Sequence, residues 1–332
     1  MPEGHTVHRL ARMLRELFGG RPVRVTSPQG RFAAGASLLD GGTVVTAEAW
    51  GKQLFVGFAA APSASVPQEP VHWLRVHLGL YGAWTFAGDG STDVVHAIGA
   101  PRRRIGERDS LPAPVPTPGE WVPPDPRGAV RARLLGPHAV ADLTGPTACE
   151  VLTPVEKAGV EARLGPDPIR PDGGRASLGA AREAFVARAR RSRVTVGQQL
   201  MDQAVIAGVG NIYRAEALFR AGVDPLRPGR DVPATALAAV WDDLVVLMRD
   251  GADTGRIVTT RPEHRSGPAD GGAADARRRT RQNSDGDPGA VPPEQAFYVY
   301  HRDGQPCRVC GAPVLLKELA GRNLFWCGVC QG

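Results

Sequence analysis

Lysine is nearly absent from this chain. It occurs only at Lys52, Lys157 and Lys317, although lysine and arginine together number 40 among 332 residues. The positive charge is therefore carried by arginine, whose planar fork suits phosphates and base edges better than a point-charge ammonium does. A GC-rich codon preference accounts for the larger part of that bias. Cysteine is scarce too, with five residues, and four of them crowd the C-terminus, which excludes the disulfide framework of a small secreted scaffold. No apolar run is long enough to cross a bilayer, and no basic leader precedes an apolar stretch at the N-terminus. The expectation is a soluble, cytoplasmic protein with no membrane partner. A formal net charge of +6 agrees with a polyanionic partner without requiring one.

The length predicts two or three domains. From His5 to Phe18, Val7, Leu10, Leu14, Leu17 and Phe18 recur at three- and four-residue steps, which predicts an amphipathic helix ended by Gly19-Gly20. Short apolar runs broken by glycine follow: Val23–Thr26, Thr43–Ala47, Gln53–Phe58, Trp73–Leu78 and Ala83–Phe86, then Val130–Leu135 and Ala139–Leu143. They predict strands of an antiparallel sheet or sandwich. Pro62–Pro70 reads as a loop, and the proline-rich, charged stretch Gly106–Arg127 as an exposed insertion. A short helix from Pro154 to Leu164 closes a first domain, 1–164, followed by a Pro/Gly linker, 165–177. The second domain, 178–261, reads as helical: Leu178–Arg190, Gln198–Val205, Tyr213–Arg220 and Thr235–Met248. Residues 262–296 lack apolar anchors for most of their length and predict a flexible tether, whose arginines Arg277 to Arg281 add non-specific attraction to a polyanion or are simply solvated. The last segment, 297–332, is too short for an apolar core of its own and needs a metal.

That metal has its ligands. Cys307-x2-Cys310 and Cys327-x2-Cys330 form two knuckles with a hairpin between them, the spacing of a tetrahedral four-thiolate zinc site. Four thiolates leave no open position, so one structural Zn2+ per chain is expected. Cys149 stands apart and reads as a small buried hydrophobe. Within the hairpin, Arg322 suits a phosphate or a groove, while Phe325 and Trp326 either pack the finger or touch a ligand. Gly208-Val209-Gly210-Asn211 reads either as an ordinary corner between helices or as a nest of backbone N–H groups for an anion. Lys52 after Gly51 is either a solvent-facing turn lysine or a functional one, and Glu3 either serves a helix dipole or does chemistry. Removal of Met1 would leave Pro2 as a secondary amine of lower pKa than lysine, able to attack an electrophilic sugar carbon.

Pro2-Glu3-Gly4, Gly51-Lys52, His77-Leu78-Gly79-Leu80-Tyr81-Gly82, Leu200-Met201-Asp202-Gln203 through Gly208-Val209-Gly210-Asn211-Ile212-Tyr213, and the terminal cysteines occur in this order. In this the sequence resembles the formamidopyrimidine-DNA glycosylase / endonuclease VIII family of bifunctional base-excision repair enzymes. The resemblance spans nearly the whole chain except 106–127 and 262–293. It implies a multidomain α+β fold: an N-terminal two-layered β-sandwich with flanking helices, a helix-two-turn-helix domain and a C-terminal zinc-finger β-hairpin. It also implies damaged DNA, duplex or else single-stranded or bubble, as the partner of a monomer, lying across the cleft between the lobes. By the same resemblance Pro2 is the Schiff-base nucleophile, Glu3 its acid–base partner and Lys52 a catalytic lysine near the lesion. Asn211 and Arg322 hold the DNA backbone, and Leu80 and Tyr81 form the wedge that fills the duplex.

Three departures bear on the substrate. The formamidopyrimidine branch usually begins Pro-Glu-Leu-Pro-Glu, whereas this chain has Pro2-Glu3-Gly4-His5-Thr6. The Leu80-Tyr81 pair resembles the endonuclease VIII wedge, but Gly79 stands where that wedge has glutamine. Gly197 occupies the neighbourhood of a lysine often found before the Leu-Met-Asp run. Oxidised pyrimidines are therefore the expected substrates. Oxidised purines, or a damaged-DNA binder without chemistry, are the alternatives.

Overall fold

The computed structural model describes residues 2–59, 69–91, 95, 97–99, 121–265 and 291–332. The chain clusters into two compact units, one of Pro2 with Thr6–Ala162 and one of Glu3–His5 with Arg163–Gly332. The predicted loop at 62–70, most of the 106–127 insertion and the centre of the 262–296 tether, with Arg277 to Arg281, lie outside the described residues.

In the first unit α1 (Gly4–Phe18) is followed by β1 (Arg21–Pro22), β2 (Arg24–Thr26), α2 (Ala33–Leu39), β3 (Thr43–Trp50), β4 (Gln53–Ala59) and β5 (His72–His77). Then come β6 (Ala83–Gly88), β7 (Ala97–Gly99), β8 (Val130–Leu135), β9 (Ala139–Thr144), β10 (Ala148–Leu152) and α3 (Pro154–Glu161). The strands pair antiparallel into two five-stranded sheets, β1-β3-β4-β5-β10 and β2-β8-β9-β6-β7. One core joins them: Val44, Leu54, Val56, Leu74 and Val76 from the first sheet pack with Trp84, Ala132, Leu134, Ala141 and Leu143 from the second. The apolar stripe of α1 (Leu10, Leu14, Leu17, Phe18) belongs to the same core, as its three- and four-residue spacing requires.

Strand β4 is buried on both faces, because Phe55 points away from the sandwich into a second cluster with Trp73, Leu152 and Val160 of α3. The Lys157 ammonium closes this cluster, 4.4 Å from the Trp73 ring centre and paired with Glu48 at 2.6 Å and Glu161 at 2.5 Å. A capping box at Thr153 and Glu156 fixes the start of α3. Cys149 lies in β10, half-buried against the core, and burial pushes its thiol up to about 12.

The second unit contains α4 (Leu178–Arg190), α5 (Val196–Gln199), α6 (Asn211–Arg220), α7 (Ala234–Thr254), β11 (Leu315–Leu319) and β12 (Arg322–Trp326). The helix expected over Gln198–Val205 is not formed. Only α5 is helical there, and the chain then runs through successive turns to residue 208. Local side chains take over the backbone groups: Asp202 Oδ1 accepts from the Ala204 N–H, while the Gln203 amide donates to the Val209 carbonyl and accepts from the Gly208 N–H. Such bonds compete with the helical ladder. They leave a pair of helices joined through turns, with α7 ended at the left-handed Gly255.

The finger docks on α6 rather than standing alone. Phe219 stacks on Tyr298 with ring centres 4.7 Å apart, and Ala215, Val299, Val314 and Phe325 complete that core. Phe325 is thus a packing residue. The Glu216 carboxylate, wholly buried in α6, accepts from the N–H groups of Tyr298, Val299 and Tyr300 and from the Thr259 hydroxyl. Burial pushes its carboxyl up, and these bonds pull it back. The described flanks of the 262–296 stretch are built into this unit. Thr260 Oγ1 donates to the Gln295 carbonyl at 2.7 Å, and the His264 ring meets the Tyr298 hydroxyl at 2.7 Å.

Candidate active site

Two glycines allow the N-terminal segment to reach the start of α6. The Gly4 N–H donates to the Gly208 carbonyl at 2.8 Å. A Cβ on Gly4 would lie 2.7 Å from Gly208 Cα, and one on Gly210 would lie 2.4 Å from the carboxyl carbon of Glu3. Glu3, 1 % exposed, accepts from the Gly210 N–H and the Ile212 N–H, each at 2.9 Å. A carboxylate at the positive end of a helix with two charge-assisted bonds is held rigidly. This corrects two sequence readings. The Gly210 N–H of the Gly-Val-Gly-Asn turn, with the Ile212 N–H just after it, does receive an anion, but it is the protein's own Glu3. Glu3 also serves the dipole of α6, two hundred residues downstream, rather than that of the helix it precedes.

Around this carboxylate the His5 ring meets Tyr213 edge-on with centres 5.5 Å apart, and the Tyr213 hydroxyl donates to the Leu247 carbonyl at 3.3 Å. Burial pushes the Tyr213 hydroxyl far above its ordinary range, and the negative charge of Glu3 adds to the effect. Pro2 is buried and precedes Glu3 directly, so the candidate nucleophile is attached to a fixed residue.

Asn211, the first residue of α6, donates from Nδ2 to the Asn323 carbonyl at 2.9 Å, and its Oδ1 accepts from Arg214 Nη2. Arg214 Nη2 also donates to the Asn323 carbonyl at 2.8 Å. Asn323 follows Arg322 at the tip of the β11–β12 hairpin. Leu319 pairs with Arg322 there, and the two residues between them, Ala320 and Gly321, have φ of 51° and 71°, the backbone that a tight I′ hairpin turn demands. Arg322 is exposed on this tip. Glu3, Asn211 and the Arg322 turn are therefore brought together within one unit, with Arg214 between them.

In the first unit Lys52 sits on the two-residue turn joining β3 and β4, after Gly51 at φ 58°. Its charge, with that of Arg75, lowers the pKa of His77 at the end of β5, although burial is the larger cause. The next turn displays the candidate wedge: Leu80 is 45 % exposed and Tyr81 81 % exposed, and the turn is closed by the Gly82 N–H donating to the Leu78 carbonyl at 2.9 Å. Gly79 has φ 66°, and a Cβ there would fall 1.8 Å from Thr147 Oγ1. Glutamine cannot replace it without moving Thr147 and straining the backbone.

Residues 1–108 match the formamidopyrimidine-DNA glycosylase N-terminal domain, 164–262 the formamidopyrimidine-DNA glycosylase H2TH domain, and 304–332 the zinc finger found in FPG and IleRS. Endonuclease 8 1 of Mycobacterium tuberculosis is 43 % identical over 331 residues, covering 100 % of both chains. The chain belongs to the formamidopyrimidine-DNA glycosylase family. Its members are DNA glycosylases with AP lyase activity. The formamidopyrimidine-DNA glycosylase of Geobacillus kaustophilus is 31 % identical over 170 residues, 51 % of this chain and 52 % of that one. In fold the chain is similar to the crystal structure of MutM (FPG) from Thermus thermophilus, with a TM-score of 0.65 at 22 % identity, covering 99 % of this chain and 98 % of that one. It is equally similar to Lactococcus lactis Fpg in complex with DNA containing N7-benzyl-Fapy-dG (TM-score 0.66, 18 % identity, 99 % of both chains).

The family's finger has its metal ligands in place. The sulfurs of Cys307, Cys310, Cys327 and Cys330 all lie within 4.8 Å of one another, with Cys310–Cys327 at 3.4 Å and Cys307–Cys330 at 3.9 Å. Tetrahedral Zn–S bonds of about 2.3 Å call for S–S edges of roughly 3.8 Å, so the four thiolates fit one structural zinc. Among the described residues no helix is long and apolar enough to cross a membrane.

The sequence does not single out Arg214, Tyr300 or His77. His77 opens the His77–Gly82 run, and its position two residues from Arg75 on a strand ending beside the Lys52 turn is the available signal. Arg214 gave none, because an arginine within a helix normally reads as solvent-facing.

Proposed function

We propose that this family member is a bifunctional glycosylase and AP lyase of the endonuclease VIII type, excising oxidised pyrimidines from DNA in the cytoplasm as a monomer. The observation that carries the reading is Glu3, buried directly after Pro2 and fixed by the Gly210 and Ile212 N–H groups. In the proposed reaction the lone pair of the Pro2 nitrogen, freed of Met1, forms a bond to C1′ of an extruded nucleotide. The N-glycosidic bond breaks, its electron pair leaves with the base, and the base takes up a proton. Glu3 takes the proton from the Pro2 nitrogen and passes it to the ring oxygen as the sugar opens, which leaves an iminium at C1′. Loss of the C2′ proton into this electron sink expels the 3′ phosphate, and a second elimination expels the 5′ phosphate. Water then releases the sugar fragment and restores the amine.

Lys52 on its hairpin tip, with His77 beside it, supplies positive charge for the DNA backbone near the lesion. Arg322 takes a phosphate, with Asn211 next to its turn. Leu80 and Tyr81 enter the space left in the duplex. Arg322→Ala should weaken cleavage of every lesion alike and reduce the salt slope of binding by about one phosphate's worth. Loss confined to one lesion would place Arg322 at the base instead.

Support for pyrimidines comes from the full-length likeness to a protein named Endonuclease 8 1 and from the exposed Leu80-Tyr81 turn. The test is a cleavage panel with 5-hydroxyuracil, dihydrouracil, thymine glycol, 8-oxoguanine opposite cytosine and a plain abasic site, in duplex and single strands. Faster cleavage of at least one pyrimidine lesion than of 8-oxoguanine is expected. The reverse order against all three would sink the assignment.

A further inference from the structure

Arg214 is 0 % exposed, yet it carries a charge that the helix core does not need. Its Nη2 gives one N–H to Asn211 Oδ1 and the other to the Asn323 carbonyl, which also accepts from Asn211 Nδ2. Three groups on two elements are thereby tied into one triangle. The amide of Asn211 is held in one orientation, Oδ1 toward the guanidinium and Nδ2 toward the finger. The Tyr300 hydroxyl interacts with the same amide from the start of the finger segment. On either side of Asn211 along the backbone, the N–H groups of Gly210 and Ile212 hold Glu3.

The electrostatics follow the same lines. Burial draws the guanidinium down to about 10, Glu3 and Tyr300 oppose that shift, and Arg322 adds to it. Arg214 thus feels the candidate acid–base group on one side and the finger's exposed arginine on the other. Its Nε–H and Nη1–H meet no hydrogen-bond acceptor among the described residues. A buried cation so incompletely bonded is a costly way to join a helix to a hairpin, and a neutral amide could hold the Asn323 carbonyl equally well.

We propose that Arg214 is a positioning residue for the strand-cutting reaction, fixing the Asn211 amide and the Arg322 turn against the helix end that holds Glu3. It touches no DNA itself. It acts through Asn211, so that the finger's grip on the backbone and the carboxylate that serves the reaction keep one geometry. The inference rests on the glycosylase/lyase reading above. That reading stands or falls by the cleavage panel on wild-type protein, whereas the role of Arg214 is read from ratios between variants, so the two can fail separately.

The experiment is a double-mutant cycle on the full-length zinc-loaded protein, measuring single-turnover strand cutting at saturating abasic-site duplex. Arg214→Met should slow cutting roughly ten- to hundredfold, the scale expected when a supporting group lets a reacting group drift, while zinc content stays at one per chain. In an Asn211→Ala background the same substitution should cost no more than about threefold, because the amide it orients is gone. A merely structural staple would cost the same in both backgrounds. Arg214→Lys, which keeps the charge and the stem but loses the fork, provides the same cycle if the methionine variant folds poorly. Equal losses in the two backgrounds, or an Arg214→Met rate within threefold of wild type, would overturn the proposal.

Discussion

Removing the zinc should abolish strand cutting at physiological salt, with at least a hundredfold loss of affinity for lesion-containing duplex. The reason lies in how the finger is built. Its apolar residues are few, and Tyr298, Val314 and Phe325 share one small core with Ala215 and Phe219 of α6 and with Cys307 and Cys327. Structural zinc in such modules contributes on the order of 10 kcal/mol or more to folding, far beyond what this small cluster supplies. Without it the β11–β12 tip is released, Asn323 leaves Asn211 and Arg214, and Arg322 loses its place. The measurement is fluorescence anisotropy and nicking before and after chelation, with zinc counted by elemental analysis. A stoichiometry of about one per chain is expected, and re-addition should restore cutting. A zinc-free protein that nicks at the wild-type rate would contradict the account, as would an iron–sulfur spectrum.

Glu3→Gln should lower base excision by roughly 10²–10⁴, the range for loss of a positioned acid–base group. The substitution keeps the size of the side chain but turns an NH2 toward one of the two backbone donors, Gly210 or Ile212. Losing one charge-assisted bond there costs about 1–3 kcal/mol, a shift of several degrees in Tm at most. The large effect on rate and the small one on stability separate chemistry from scaffolding. Excision within threefold of wild type in a well-folded variant would remove Glu3 from the reaction.

How far the sequence shows these features differs from element to element. Helix α1 is legible because Leu10, Leu14 and Leu17 keep helical spacing, and the sandwich because its strands alternate between turns of glycine. Helix α2 and strand β10 escape notice. The first has seven residues and no side-chain cap, and the second carries Glu150 and a half-buried cysteine in place of an apolar run. The stretch after α5 misleads because Asp202 and Gln203 bond locally, which helical spacing does not reveal. The cysteine quartet is legible from spacing alone, since the ligand chemistry dictates it.

The Gly208–Asn211 turn is half legible. Its glycines show that something approaches closely, but only the fold brings Glu3 there from the other end of the chain. Arg214 is illegible, because its partners are an amide three residues back and a carbonyl more than a hundred residues ahead. The glycine at position 79 gains a reason only when Thr147 is seen beside it.

The central claim is covalent catalysis from Pro2, and borohydride trapping tests it most directly. Wild-type protein with Met1 removed is mixed with an abasic-site duplex and reduced, and the adduct is digested and mapped by mass spectrometry. A single cross-link at the Pro2 nitrogen is predicted, and chemical blocking of that nitrogen should abolish both the adduct and strand cutting. No adduct, or an adduct mapped to Lys52, Lys157 or Lys317 instead, would contradict it.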